Sequence, residues 1–193
     1  MQSTIIKNIL SDMQINQLKV LRDGLNVSNL GKKGYGREIR PVPDLKMIPD
    51  EIKNIFTTVA NVCYQKPLKL YAVAYGRYSN NFGIPKLPPH IDEVPSQFTL
   101  DYQLNGNMSW PINIEGENYY LENNDALVFE GESVLHWRPK KTFSDDEFLD
   151  LMWFQFIEES HWGHKYDVRP DYSNFKINLN NKLKKWKAVY DES

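Results

Sequence analysis

His90 and Asp92 stand one residue apart in the stretch Leu87-Pro88-Pro89-His90-Ile91-Asp92. On an extended strand, residues i and i+2 point to the same side. An imidazole and a carboxylate can therefore approach one cation from neighbouring positions on one wall. A third donor has to come from elsewhere, and His136, in Leu135-His136-Trp137-Arg138, is the best placed. Two histidines and one carboxylate on one face of an octahedron leave the opposite face open, which is the donor set of mononuclear non-haem Fe(II) sites. Taken alone, the His-x-Asp spacing also fits a loop histidine beside a turn or capping aspartate. The other histidine pair, His161 and His164, is interrupted by Gly163, which argues against the helix that would bring both onto one face; it reads as a loop.

These residues need a scaffold, and the surrounding sequence reads as one. Leu70–Tyr78, Gln97–Asn105, Trp110–Ile114, Tyr119–Leu121, Ala126–Glu130 and Phe148–Glu158 have strand composition. Glu115-Gly116-Glu117-Asn118 and Asn123-Asn124-Asp125 separate them as turns. Short strands with turn signals at this spacing indicate an all-β sandwich or barrel. The segment before the motif holds Gly83, Pro85, Pro88 and Pro89, a stiff irregular approach to His90. In Gln97–Asn105 the hydrophobic set Phe98, Leu100, Tyr102 and Leu104 marks one face as buried, opposite Thr99, Asp101 and Gln103. Asp150 interrupts the apolar run Phe148–Glu158 and reads as solvent-facing or lysine-paired, with support of a ligand histidine as the alternative.

Two helices precede the strands. Ser11-Asp12 can cap the first, which carries Ile15, Leu18, Leu21 and Leu25 at helical spacing. Pro49 opens the second, with Asp50 and Glu51 in its first turn and Ile52, Ile55, Phe56, Val59 and Val62 as its apolar stripe. Between them, residues 26–43 are polar and basic, with Gly31, Gly34 and Gly36. They read as a mobile surface loop, with a lid as the alternative. Residues 176–190 form a basic amphipathic segment, with Ile177, Leu179, Leu183, Trp186 and Val189 on one side, read as a helix docked on the domain.

In order and spacing, Tyr75-x-x-Tyr78, Leu87 to Asp92, Tyr102-Gln103-Leu104-Asn105, Asn124 to Phe129 and Gly131 to Arg138 resemble the Fe(II)/2-oxoglutarate-dependent dioxygenases, in the prolyl-hydroxylase-like branch. The resemblance spans roughly residues 68–158. It implies a mainly β fold, a double-stranded β-helix (jelly roll, cupin-like) with flanking N-terminal helices and a C-terminal helix. It further implies Fe(II) on His90, Asp92 and His136, with 2-oxoglutarate and O₂ as co-substrates and hydroxylation as the default outcome. Tyr78, and Tyr75 beside it, are the tyrosines it points to for co-substrate contact, and it turns the Thr99–Asp101–Gln103 face toward that ligand. The sequence leaves open whether this polar face or the hydrophobic one looks inward. One departure matters. Many members place an Arg or Lys for the distal carboxylate of 2-oxoglutarate in the window that here holds Asp145, Asp146 and Glu147. Arg138 shares a strand face with His136 and offers a planar fork for a carboxylate; it is the expected anchor, with Lys141 second.

The chain has 193 residues, which suits one domain: a helical flank at 1–66, a jelly-roll core at 67–158 and a C-terminal extension at 159–193. Hydrophobic residues are 41% and aromatic residues 13%, a globular composition. The net charge of −2 gives little support to nucleic-acid binding through phosphates. The single cysteine, Cys63, excludes an internal disulfide and reads as a small buried apolar residue. Neither a signal peptide nor a membrane-spanning run is visible, so a cytoplasmic enzyme without a membrane partner is expected. A peptide side chain, a free amino acid and a small metabolite all remain compatible as substrate. The competing readings are a cupin-like metal-binding module without oxygenase activity and a metal-dependent enzyme that does not use 2-oxoglutarate.

Overall fold

A computed structural model describes residues 3–27, 35–92, 95–165 and 170–191. The chain begins with a short strand, β1 (Thr4–Ile6), and helix α1 (Asp12–Gly24). Ser11 caps α1 through a reciprocal box with Gln14, in which each side chain meets the other's backbone N–H. Strand β2 (Arg37–Pro41) and helix α2 (Asp50–Tyr64) follow, with Pro49 as the residue that starts α2. Then come β3 (Leu68–Ser79), β4 (Leu87–His90), β5 (Phe98–Gly106), β6 (Ile112–Ile114), β7 (Glu117–Tyr119), β8 (Ala126–Phe129), β9 (His136–Arg138), β10 (Phe148–Glu158) and helix α3 (Tyr172–Asp191).

The strands form two antiparallel sheets, one ordered β1-β8-β5-β10-β3-β2 and the other β4-β9-β6-β7. They face each other in the expected double-stranded β-helix. The alternation of side chains explains the layering. Phe98, Leu100, Tyr102 and Leu104 of β5, with Met152, Phe154 and Phe156 of β10, pack against Leu18 of α1 and Ile52, Phe56 and Ala60 of α2. Phe56 lies 4.0 Å from Phe154 and 5.3 Å from Tyr102, centroid to centroid. The opposite face of β5, with Thr99 and Asp101, is also buried and looks into the space between the sheets. Both faces of β5 are thus inside, one against helices and one against a cavity. On the far side, Phe175, Leu179, Leu183 and Trp186 of α3 cover Ile91, Leu135 and Trp137. The order of layers is helices, large sheet, cavity, small sheet, helix.

Several expectations change. Residues 28–34 of the loop read as a lid lie outside the described residues, but Arg37–Pro41 is no loop: it pairs with β3 in the register Arg37↔Tyr78 to Pro41↔Ala74. Strands β1 and β2 therefore extend the large sheet from within the segment expected to be helical. β7 starts at Glu117, earlier than expected, because Glu115 and Gly116 take positive φ (48° and 100°) and close a two-residue hairpin turn. Val62 of α2 and Ile177 of α3 are exposed although their helices are amphipathic, while Ala60 and Tyr64 are buried. Cys63 is only half-buried. Asp150 faces neither solvent nor a lysine. It is fully buried, accepts two hydrogen bonds from Arg77 (2.6 and 2.8 Å), one from Arg22 (3.1 Å) and one from the Tyr75 hydroxyl (2.6 Å). A buried carboxylate needs such partners. Among the described residues no helix is long and apolar enough to cross a membrane.

Candidate metal centre

β4 is an edge strand, and that is where Pro88 and Pro89 can sit without breaking a ladder on both sides. Its pairing with β9 is irregular between Leu87↔Arg138 and His90↔His136. This register sets His90 directly opposite His136, with ring centroids 4.2 Å apart. Asp92 follows just past the strand end, its N–H held by the carbonyl of Gly131 at 2.9 Å. The Nε2 atoms of His90 and His136 each lie 3.7 Å from Asp92 Oδ1. One ligand atom from each of the three residues falls within 4.8 Å of the other two.

Their hydrogen bonds fix what these atoms offer. His90 Nδ1 is 2.9 Å from the Pro88 carbonyl and His136 Nδ1 is 3.1 Å from the Val134 carbonyl. A carbonyl can only accept, so each Nδ1 carries the hydrogen and each Nε2 presents a lone pair. Burial and the neighbouring His136 pull the His90 pKa down to about 4, against the opposing pull of Asp92, so that ring is neutral near pH 7. The second oxygen of Asp92, Oδ2, accepts from Ser96 Oγ and Thr99 Oγ1, both at 3.1 Å. That leaves Oδ1 to face the histidines. His90 Nε2, His136 Nε2 and Asp92 Oδ1 thus lie close together, and this donor set fits Fe(II).

The three residues lie on the wall of a cavity of about 280 Å³ between the sheets. Leu87, Ile112 and Phe129 supply apolar wall; Thr99, Asp101, Tyr78, Arg37, Trp153 and Arg138 supply polar or aromatic groups. Arg138 is almost completely buried, donating to the Trp110 carbonyl at 2.9 Å and to Asp101 Oδ2 at 3.1 Å. Burial pushes the Asp101 carboxyl up, while Arg138 acts in the opposite direction. The other oxygen, Asp101 Oδ1, is buried without a hydrogen-bond partner. Arg37 reaches the cavity from β2. Its Nη1 donates to the Tyr78 hydroxyl oxygen at 2.8 Å, and its guanidinium carbon lies 5.6–5.7 Å from the ring centroids of Tyr35, Tyr78 and Trp153.

Of the residues singled out in the sequence, His90, Asp92, His136, Tyr78 and Arg138 line this cavity, and Tyr75, Gln103 and Lys141 do not. Tyr75 turns to the helix side, toward Asp150. Gln103 is buried and donates to Asn123 Oδ1 at 3.1 Å. Lys141 donates to the Ser109 carbonyl and lines an outer groove with Trp137 and Tyr120. Arg37, Ser96 and Gly131 escaped a role in the sequence reading, whereas Thr99 and Asp101 belong to the polar face that the resemblance turned toward the co-substrate.

No family model matches the chain, and no curated protein matches it in sequence. Solved structures do resemble it. The non-haem α-ketoglutarate-dependent epimerase SnoN from nogalamycin biosynthesis superposes with a TM-score of 0.65 at 11% identity, over 81% of this chain and 78% of that one. The collagen prolyl hydroxylase of Paramecium bursaria Chlorella virus-1, in its 2-oxoglutarate complex, gives 0.59 at 14% identity, over 81% and 96%. HygX from Streptomyces hygroscopicus, with nickel and 2-oxoglutarate bound, gives 0.58 at 10% identity, over 86% and 89%. At such identities the likeness establishes the shared fold.

Proposed function

We propose that the chain is an Fe(II)- and 2-oxoglutarate-dependent oxygenase, a hydroxylase acting on a peptide side chain or a small metabolite. The observation that carries this reading is the convergence of His90 Nε2, His136 Nε2 and Asp92 Oδ1 on the wall of the cavity between the sheets. The three structures named above, which share the fold, are described with α-ketoglutarate dependence or with bound 2-oxoglutarate. Bound iron would supply co-substrate chelation and O₂ activation, chemistry that no side chain performs. The protein's part is positional. The Pro88 and Val134 carbonyls orient the imidazoles, and Ser96 and Thr99 orient the carboxylate. Leu87, Ile112 and Phe129 supply the apolar wall beside the open metal face. Arg138 and Arg37 are the guanidinium groups of the cavity wall, and a dianionic co-substrate needs such a group for its distal end.

The test is turnover. Metal-free protein reconstituted with Fe(II), 2-oxoglutarate and air should release succinate slowly even without its own substrate. His136→Ala and Asp92→Ala should reduce that release to the metal-free background. Absence of succinate above that background, together with no 2-oxoglutarate-dependent rise in melting temperature, would instead support a metal-binding module without oxygenase activity.

A further inference from the structure

The cavity holds two guanidinium groups, and they are not equivalent. Arg138 is already engaged: both of its terminal nitrogens donate to fixed acceptors, one of them the carboxylate of Asp101. Among the described residues, Arg37 makes no ion pair with a carboxylate, and its Nε is buried without a hydrogen-bond partner. A buried donor in that state carries an unrecovered desolvation penalty. Its setting is built to hold it nonetheless. The β2–β3 register puts Arg37 opposite Tyr78, and the rings of Tyr35, Tyr78 and Trp153 surround the guanidinium. Because Arg37 donates to the Tyr78 oxygen, the phenol's own hydrogen is left to donate elsewhere.

Charge points the same way. Fe(II) held by one aspartate and two neutral histidines keeps one positive charge. Arg138 and Asp101 cancel. The second uncancelled positive charge in the cavity is Arg37. A five-carbon dianion with a carboxylate at each end matches two separated positive charges. A carboxylate placed at Arg138 would instead compete with Asp101, whose Oδ1 already lacks a donor. Resting on the function proposed above, we infer that Arg37, assisted by the Tyr78 hydroxyl, binds the distal carboxylate of 2-oxoglutarate, and that the Arg138–Asp101 pair is a fixed part of the wall. The anchoring cation then comes from β2, a strand added to the outside edge of the barrel, and not from the strand that carries His136.

Calorimetric titration of Mn(II)-loaded protein separates the possibilities without any turnover. The probes are 2-oxoglutarate and 2-oxobutyrate, which chelates metal through the same atoms but lacks the distal carboxylate. The parent should prefer 2-oxoglutarate. Arg37→Gln should weaken 2-oxoglutarate by about 30-fold or more, the range for truncating one partner of a buried charge pair, and leave 2-oxobutyrate unchanged, so the preference collapses. Arg37→Lys should recover part of it, since an ammonium cannot make the forked contact. Tyr78→Phe should lose about tenfold, selectively for 2-oxoglutarate. Unchanged Mn(II) affinity shows that each variant is folded; should Arg37→Gln fail that control, Arg37→Lys and Tyr78→Phe decide. If Arg37→Gln, or that pair in its stead, binds 2-oxoglutarate like the parent while Arg138→Gln loses it, the assignment to Arg37 is wrong and the function stands. If the parent itself does not bind 2-oxoglutarate, the function falls and the assignment with it.

Discussion

A Cβ at Gly131 would stand 2.4 Å from Asp92 Oδ2, 2.6 Å from the Ser96 carbonyl and 2.7 Å from Thr99 Oγ1. All three belong to the cradle that turns the ligand carboxylate. Gly131→Ala should therefore displace Asp92 and cost about 10–100-fold in Mn(II) affinity, the usual effect of disturbing the groups behind a metal ligand. Competition against a fluorescent chelator would measure it; unchanged affinity would mean that the cradle does not orient Asp92. At this scale the sequence is uneven. His90 and Asp92 drew attention because their two-residue spacing is a local property, although Asp92 lies just past the end of β4; His136 is set opposite His90 by the β4–β9 pairing, which the spacing does not show. Arg37 was not legible, because its role depends on pairing with Tyr78 across 41 positions, and nothing within residues 26–43 announces that partner. Arg138 was legible as a cavity residue, since it shares a face with His136. Its engagement with Asp101 on another strand was not.

Elements show the same division between local pattern and long-range placement. β10 and β5 could be read from composition, and the capping signals at Ser11 and Pro49 marked α1 and α2 closely. β1 and β2 are short, and their hydrogen-bond partners lie far away in sequence, so composition alone reads them as loop. α3 was legible as amphipathic, but its partner was not: it packs on the outer face of β9, whose inner face carries His136 and Arg138. Leu135 and Trp137 point one way and His136 the other, as strand alternation requires. Docking α3 thus braces the strand that carries His136. Phe175 is almost completely buried in this contact. Phe175→Ala should lower stability by about 3–5 kcal/mol, read from the urea midpoint. A loss below about 1 kcal/mol would show that α3 does not stay on the sheet in solution.

Across the whole molecule, Asp150 adds charged links to the hydrophobic contact between helix and sheet. It ties α1 through Arg22 to β3 through Arg77 and Tyr75. Asp150 is fully buried, but Arg77 is partly exposed and Arg22 keeps Asp23 as a partner, so the group left stranded without the carboxylate is the Tyr75 hydroxyl. Asp150→Ala should cost about 1–3 kcal/mol, the penalty for a buried polar group left unpaired, measurable by chemical denaturation, with little change in Mn(II) affinity, because the network lies on the helix side of the large sheet. An unaltered midpoint would mean that the Tyr75 hydroxyl finds another partner when the carboxylate is gone. The cavity on the other side of that sheet has a further consequence. Its 280 Å³ or so falls just below the roughly 300–1,000 Å³ of pockets that engulf a drug-sized compound. Under the oxygenase reading proposed above, the room left beside a five-carbon acid suits a slender end group, so fragment libraries sorted by terminal group are the efficient place to look for a substrate.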